Sequence, residues 1–483
     1  MASVADMARG IIAGVAIAIA VACSIAFLAM IALFCINFAV MKISPEHYRR
    51  VVAEAVSSGT LATVMHLPFA PHKGLNVYGG NDCVILGALV IPRGTPMEAS
   101  VSPRMPTGMD FTGIADPPGY PPGAFCLQLA AAMKTPGEPS QPTHIHRYIH
   151  GDVTVAALLL AFMSLGTASR ALLLACYAML GATALIALAR LRTGSQAQRR
   201  RASAFLIIAA TLACCYGLQL FGRSFSFAPT DAVVFAFILF GMLRPLCRIP
   251  RHHFIVAAAA FGTLIAILEI LTGGVPLGLA TLLALVALGE APDARTLADR
   301  MVVGTAAFTA AVVACFGYKI LAVGATFGTS GLAEFAHALG QRVDGPVQSL
   351  LSDNAKESLR ALHIDPLWID ANVLTRALFA GVMLTYSAFY LGWGSHILGA
   401  ALVLLPTPLL LAFGLYSLRD RGRTVESRER LALAAAGMVP VLWYLVFANH
   451  TILHSSYMVR PLALNVALCM VSALAGSPRA VST

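Results

Sequence analysis

The sequence predicts an all-α polytopic membrane protein with roughly ten or eleven transmembrane helices, and three observations carry that prediction. Hydrophobic residues make up 58% of the 483-residue chain and charged residues only 12%, about half of what a soluble domain carries. Mean hydropathy is +0.77. The apolar residues fall into long runs separated by short Arg-rich connectors, as membrane spans and their cytoplasmic anchors require.

The first run, residues 11 to 41, exceeds the roughly 20 residues needed to span and has no small-residue cleavage site before Lys42. It reads as a retained helix with a cytoplasmic N-terminus, so the first unit is 1–41. Residues 42–151 hold many of the prolines, together with Gly pairs, His and charges, and read as a long extracytoplasmic loop with short helices. Further apolar runs lie at about 153–189, 203–220, 231–246, 254–272, 275–289 and 303–325, giving a bundle over 152–325. A second polar segment, 326–372, carries Glu334, Asp344, Asp353, Asp365, Trp368 and Asp370 and belongs on the outer face. Runs at 373–392, 395–418, 431–448 and 459–475 form the C-terminal helices, 373–475, followed by a tail, 476–483.

Orientation follows the basic connectors. The segments "RLRTGSQAQRRR" (190–201), "CRIPRHH" (247–253) and "RDRGRTVESRER" (419–430) mark the cytoplasmic face. Residues 290–302 also look cytoplasmic, yet three runs separate them from 419–430, where parity demands an even number. A run near "GWGSH" (392–396) is then re-entrant or interfacial. The net charge of +10 fits this anchoring and gives no reason to expect a nucleic-acid partner.

Of the ten cysteines, Cys23, Cys35, Cys176, Cys214, Cys215, Cys315 and Cys469 sit in apolar runs and serve as small apolar side chains. There is no C-x-x-C pair and no zinc-like spacing. Cys83 and Cys126 share the long polar segment, where an oxidising compartment permits a disulfide.

The polar outliers collect at the outer boundary: "GGNDC" (79–83), "DPPGYPPG" (116–123), "HIHRYIHGD" (144–152), "LEILTGGVP" (268–276), "GYK" (317–319) and "NHTILHSSYMVR" (449–460). Ionisable groups in lipid are costly unless they face water, a partner or a ligand. Asp82 follows a turn and suits a general base, or equally a helix cap. In 144–152, His146, Arg147, Tyr148 and His150 either grip a phosphate at headgroup depth or form an interfacial belt. A zinc site from His144, His146 and His150 lacks a defined ligand set. Glu269 and Lys319 are intramembrane ionisable groups, each open to a substrate role, to pairing with a neighbouring helix or, for Lys319, to snorkelling. Tyr120 rides on a rigid proline-rich loop. Asn449, His450, His454, Tyr457 and Arg460 close the series, with His450 and His454 on one helical face.

In this order the pieces resemble bacterial polytopic membrane glycosyltransferases of the GT-C fold. The resemblance rests on Asp82, "HRYIHG" (146–151), "LTGGVPLG" (271–278), "GYK" with Lys319, "NHTILHSSYMVR" and "YPPG" (120–123). The sequence departs from the group at Ile149, where it usually has Trp, and at "GGN" before Asp82, where it usually has Phe-Thr. Asp110 and Asp116 therefore stand as alternates for the base. The resemblance implies a GT-C-like bundle in the bacterial inner (plasma) membrane, with its active site facing the periplasm or exterior. It further implies a polyprenyl-phosphate sugar as donor substrate and inverting transfer to a hydroxyl of a cell-surface glycan or lipid acceptor. Developing charge on the leaving phosphate needs fixed donors, for which Lys319, Arg460, His450, His454 and Arg147 are candidates. His146, Tyr148, His150, Tyr120, Glu269, Asn449 and Tyr457 would line the substrate cavity. The cofactor is left open, and no ligand spacing indicates a divalent metal. A glycolipid transporter, flippase or polymerase-like ligase is the chief alternative, since the same residues could bind a passing headgroup. A scaffold subunit would explain the apolar bulk but not the polar clusters.

Overall fold

The computed structural model describes residues 4–61, 80–91, 94–105, 126, 129, 133, 143–146, 148–269, 272–344, 360, 365–370, 372–387, 401, 404–419, 424–453 and 455–474. Asp110, Asp116, Tyr120, Arg147, His454 and the "GWGSH" stretch lie outside the described residues. The chain is an all-α multi-pass membrane protein. Among the described residues five helices are long and apolar enough to cross a membrane, and several shorter apolar helices accompany them.

Helix α1, Val4–Val40, shows how the bundle is assembled. Ala18, Ala22, Ala26, Met30 and Leu33 recur at helical spacing and are buried, while Ile12, Ile17, Phe27, Leu28 and Ile31 stay exposed. Small residues on the inward stripe allow close helix packing, and the large outward ones meet lipid. Helix α2, Pro45–Ser57, follows, opened by Ser44 accepting from the Glu46 amide. Helices α3 (Gly80–Val90) and α4 (Pro96–Val101) lie within the predicted outer loop, as do strands β1 (Arg104–Met105) and β2 (Thr143–His144), which pair antiparallel. Helix α5, Gly151–Leu160, ends this region. Together with α2 and α3 it forms a second apolar core around Tyr48, Leu86, Leu89, Ala156 and Ala157. Cys83 and Cys126 are disulfide-bonded, with Cα atoms 5.2 Å apart.

The run predicted at 153–189 is two helices. The chain turns at Ala161–Ser164, where Ser164 caps the next helix by accepting from the Thr167 amide. The crossing proper is α6, Leu165–Thr193. It is followed by α7 (Gln196–Cys215), the short α8 (Leu218–Phe221), α9 (Ala228–Leu243), α10 (Arg251–Leu268) and α11 (Gly274–Ala287). Helix α12 runs Ala294–Asp344, broken at Gly328 (φ 68°, ψ −152°), a conformation essentially reserved for glycine. The predicted boundary at residue 325 is therefore close to this break, but helix resumes beyond it. The remaining helices are α13 (Pro366–Ile369), α14 (Val373–Ser387), α15 (Pro406–Arg419), α16 (Val425–Val446), α17 (Ala448–Leu453), α18 (Ser455–Met458) and α19 (Arg460–Leu474).

The Arg-bearing connectors meet at one end of the bundle. Arg200 pairs with Glu426 at 2.7 Å and with Glu429. Arg248 pairs with Glu290 at 2.9 Å, and Arg251 binds Asp299 and the Gly10 carbonyl. Asp293 lies within electrostatic reach of Arg428. Residues 290–302 and 424–430 thus share a face, which leaves the parity conflict to the segment between them. Helix α14 packs against α17 and α18 at the opposite end, a short helix beside that surface.

This arrangement predicts a labelling pattern. In a background without the free cysteines, single cysteines at Arg199, Pro292 and Val425 should react with a membrane-impermeant maleimide from one side, and Ser57→Cys only from the other. Reaction of Ser57→Cys from the same side as the other three would contradict the fold.

Candidate functional site

Several helix N-termini converge at the end opposite the arginine connectors: α3, α5, α9, α11 and α19 begin there. Each leaves backbone amides without intrahelical partners and carries positive partial charge. Acidic side chains occupy that field, with Asp82, Asp152 and Asp231 in the first turns of α3, α5 and α9.

Arg460 and Asp231 form the buried centre. The Arg460 Nη1 donates to Asp231 Oδ1 at 2.7 Å, and both side chains are 1% exposed or less. Tyr216 donates its hydroxyl to the same oxygen at 2.6 Å. Arg460 also donates from Nε to the Tyr457 carbonyl at 3.2 Å and from Nη2 to the Thr272 carbonyl at 3.0 Å. Its guanidinium sits 4.4 Å from the Phe227 ring centroid and 5.4 Å from that of Phe221. Tyr457 packs on Phe227 with centroids 4.8 Å apart. One cation thereby ties α9, the α10–α11 turn and the start of α19.

Glu269 lies at the end of α10 and is 2% exposed. Its carboxylate accepts from the Gly274 amide at 2.8 Å and the Thr272 hydroxyl at 3.3 Å, capping α11. Gly273 between them has φ 104°, so only glycine makes this turn without strain. Thr230 of α9 donates to the Leu268 carbonyl at 2.9 Å.

Asp82 joins this centre from the outer helices. Its Oδ1 accepts from Ser224 Oγ at 2.7 Å, Ser226 N at 3.1 Å and Ser226 Oγ at 3.2 Å. Ser224 and Ser226 belong to the turn that leads into α9, so the position of Asp82 is linked to that of Asp231. Desolvation raises its pKa to about 6, against the lowering effect of those hydrogen bonds. Asp152, 2% exposed, lies within electrostatic reach of both Asp82 and Glu269. Asp82 alone among these four carboxylates keeps partial solvent access.

Lys319 stands in a different hydrogen-bond network. Its Nζ, fully buried, donates to the Val101 carbonyl and to Ser102 Oγ, the latter at 3.0 Å. Ser102 Oγ lies 3.0 Å from His146 Nδ1, and His146 Nε2 lies 3.5 Å from Glu334. His144 Nδ1 faces the Ser102 carbonyl at 2.7 Å, so its Nε2 accepts from Arg104 Nε at 3.1 Å. Burial, with Lys319 and His144 adding to it, depresses the His146 pKa to about 4, which keeps that ring neutral at pH 7. Asn37 connects this network toward α5, donating to the Ser100 carbonyl at 3.2 Å and accepting from Thr154.

The structure therefore brings Asp82, Glu269, Tyr457 and Arg460 to one end of the bundle and sets Lys319 with His146. His150 Nε2 donates to the Ile145 carbonyl at 2.8 Å, in the left-handed conformation that starts α5. Tyr148 packs edge-on against it at 6.1 Å. Asn449 and His450 are buried in α17. Among the described residues no group of His, Cys, Asp and Glu is arranged to hold a metal ion. Sequence reading missed Asp231, Ser102 and the Ser224–Ser226 turn, and gave Asp152, the last residue of "HIHRYIHGD", no role of its own. An isolated acid in the first turn of an apolar run, as in "PTDAVVFAF", was the available signal for Asp231. No family model, curated protein or solved structure matches the chain.

Breaking a buried pair on one side leaves an uncompensated charge, at about 3–5 kcal/mol. Asp231→Ala should destabilise the purified protein by that order in chemical unfolding, and Asp231→Leu combined with Arg460→Met by much less. Equal losses in the single and double variants would show that the pair is not coupled as described.

Proposed function

We propose that the chain is a GT-C type membrane glycosyltransferase. It moves a sugar from a polyprenyl-phosphate donor to a hydroxyl of a cell-surface glycan or lipid acceptor, with inversion, at the outer face of a bacterial inner membrane. The observation that carries this reading is the setting of Asp82. It is a partly accessible carboxylate whose position is set by Ser224 and Ser226, at the end of the bundle where helix N-termini converge. The Cys83–Cys126 disulfide supports placing this end in an oxidising compartment.

The chemistry follows from those residues. Asp82 takes the proton from the acceptor hydroxyl, whose oxygen attacks the anomeric carbon from the face opposite the phosphate. The anomeric carbon–oxygen bond breaks, and the polyprenyl phosphate departs with the bonding electrons. A general base is most effective when its pKa lies near the working pH, and about 6 serves a neutral exterior. Fixed donors at the phosphate meet the charge that develops there. Serine hydroxyls on Oδ1 hold the carboxylate in one orientation, which shortens the search for an attacking geometry.

The test is transfer by purified protein in lipid nanodiscs given a polyprenyl-phosphate monosaccharide. Asp82→Asn should lower the rate by roughly a hundredfold or more while the donor still binds. A folded Asp82→Asn protein with full transfer activity would falsify the assignment, and a carrier would give no transfer at all. The rate should also rise with pH through about 6, because the base works deprotonated. Stability should move the other way. A carboxyl raised above its unfolded value binds more protons in the folded state, so its stabilising contribution is lost as pH rises from about 4 to about 6. A pH–rate profile flat across that window would argue against Asp82 as base.

A further inference from the structure

The two buried cations at this end are not in equivalent states. Arg460 has an internal counter-ion in Asp231 at 2.7 Å. Lys319, fully buried, has no carboxylate within ion-pair distance among the described residues, and its contacts are the Val101 carbonyl and the Ser102 hydroxyl. Burying an ammonium without a counter-charge is costly, and the neutral His146 ring nearby supplies none.

The hydrogen bonds around Lys319 also have a direction. The ammonium can only donate, so Ser102 Oγ accepts from it and turns its own hydrogen toward His146 Nδ1, 3.0 Å away. That fixes the remaining ring hydrogen on Nε2, which faces Glu334 at 3.5 Å. The line Lys319, Ser102, His146 is thus polarised outward and ends in a donor aimed at an anion. The anion there is a half-exposed carboxylate on the part of α12 beyond the Gly328 break. Gly331 lies over the ring, where an added Cβ would stand 3.6 Å from His146 Nε2. Arg104 and His144, both partly exposed, stand beside it, with Glu98 within electrostatic reach of each, and the Phe327 ring packs on His144 and His146 with centroids 4.6 and 4.5 Å away.

We propose that Lys319, Ser102, His146 and Arg104 form the subsite for the phosphate group of a phosphate ester, a diester in the sugar donor and a monoester once the sugar has left, and that Glu334 occupies its mouth as an internal anion that the phosphate displaces. Gly328 is the joint about which the Glu334 segment moves aside. Arg460 holds the bundle together and takes no part in binding the phosphate. The assignment of a lipid-borne phosphate rests on the transferase reading above; the anion site itself does not.

Titration of the purified full-length protein with farnesyl phosphate, and separately with inorganic phosphate, tests this by calorimetry and thermal shift. Wild type should bind at least one probe and gain thermal stability from it. Lys319→Met should weaken binding by roughly tenfold or more while its own melting temperature holds or rises, because an uncompensated buried charge is removed. Glu334→Gln should bind several-fold tighter. The probe whose affinity follows both variants identifies the source, a lipid headgroup or free phosphate. A lysine that serves only as a hydrogen-bond donor to Val101 and Ser102 predicts a lower melting temperature in Lys319→Met and unchanged affinity in Glu334→Gln, and that result overturns the proposal. So does a wild type that binds neither probe. The transferase reading fails separately: wild type that binds farnesyl phosphate with the expected variant pattern but transfers no sugar sinks only that reading.

Discussion

The ion pair between Arg460 and Asp231 is the constraint on which the rest of this end of the molecule depends. An arginine at 1% exposure in an apolar bundle cannot remain unpaired, and its planar fork satisfies several acceptors in fixed directions. Those acceptors come from separate elements: Asp231 on α9, the Thr272 carbonyl between α10 and α11, and the Tyr457 carbonyl before α19. Once they are fixed, the turn before α9 is fixed, and with it the serines that hold Asp82. The Glu269 cap on α11 lies in the α10–α11 turn, whose Thr272 carbonyl Arg460 holds.

A division of charge follows. The helix N-termini at this end supply positive field, and buried carboxylates take up part of it, with Asp231, Asp152 and Glu269 each 2% exposed or less. Asp82 is the carboxylate left at partial access. At the other end the arginines pair across connectors, as Arg200 does with Glu426 and Arg248 with Glu290. These partly exposed pairs are individually weak, yet they join four connectors that are far apart in sequence. One end is built to hold fixed charge in a dry setting and the other to sit in a wet, cationic one.

Much of this was legible in the sequence, for physical reasons particular to each element. The apolar length of α1 and the arginines of the connectors are dictated by lipid thickness and headgroup charge, which act on composition directly. Asp82, Glu269, Lys319 and Arg460 were visible because an ionisable group in an apolar setting is conspicuous. Their partners were not. Nothing near Arg460 in the chain points to Asp231, 229 positions away, and Lys319 and Arg460 look alike until the structure gives one a counter-ion. The division of the 153–189 run into α5 and α6 was hidden because Ala161, Phe162 and Met163 are apolar, and only Ser164 marks the cap. The continuation of helix past Gly328 was obscured by polar residues that suit an exposed helix as well as a loop.

The proposed function places sugar transfer beside Asp82. The most direct measurement is a cryo-electron microscopy map of the protein with a non-transferable polyprenyl-phosphate sugar analogue bound. The sugar ring should lie at the convergent helix N-termini, with an open path from Asp82 to the face of the anomeric carbon opposite the phosphate. An analogue seated at the Arg200–Glu426 end, or one whose anomeric carbon is walled off from Asp82, would contradict it.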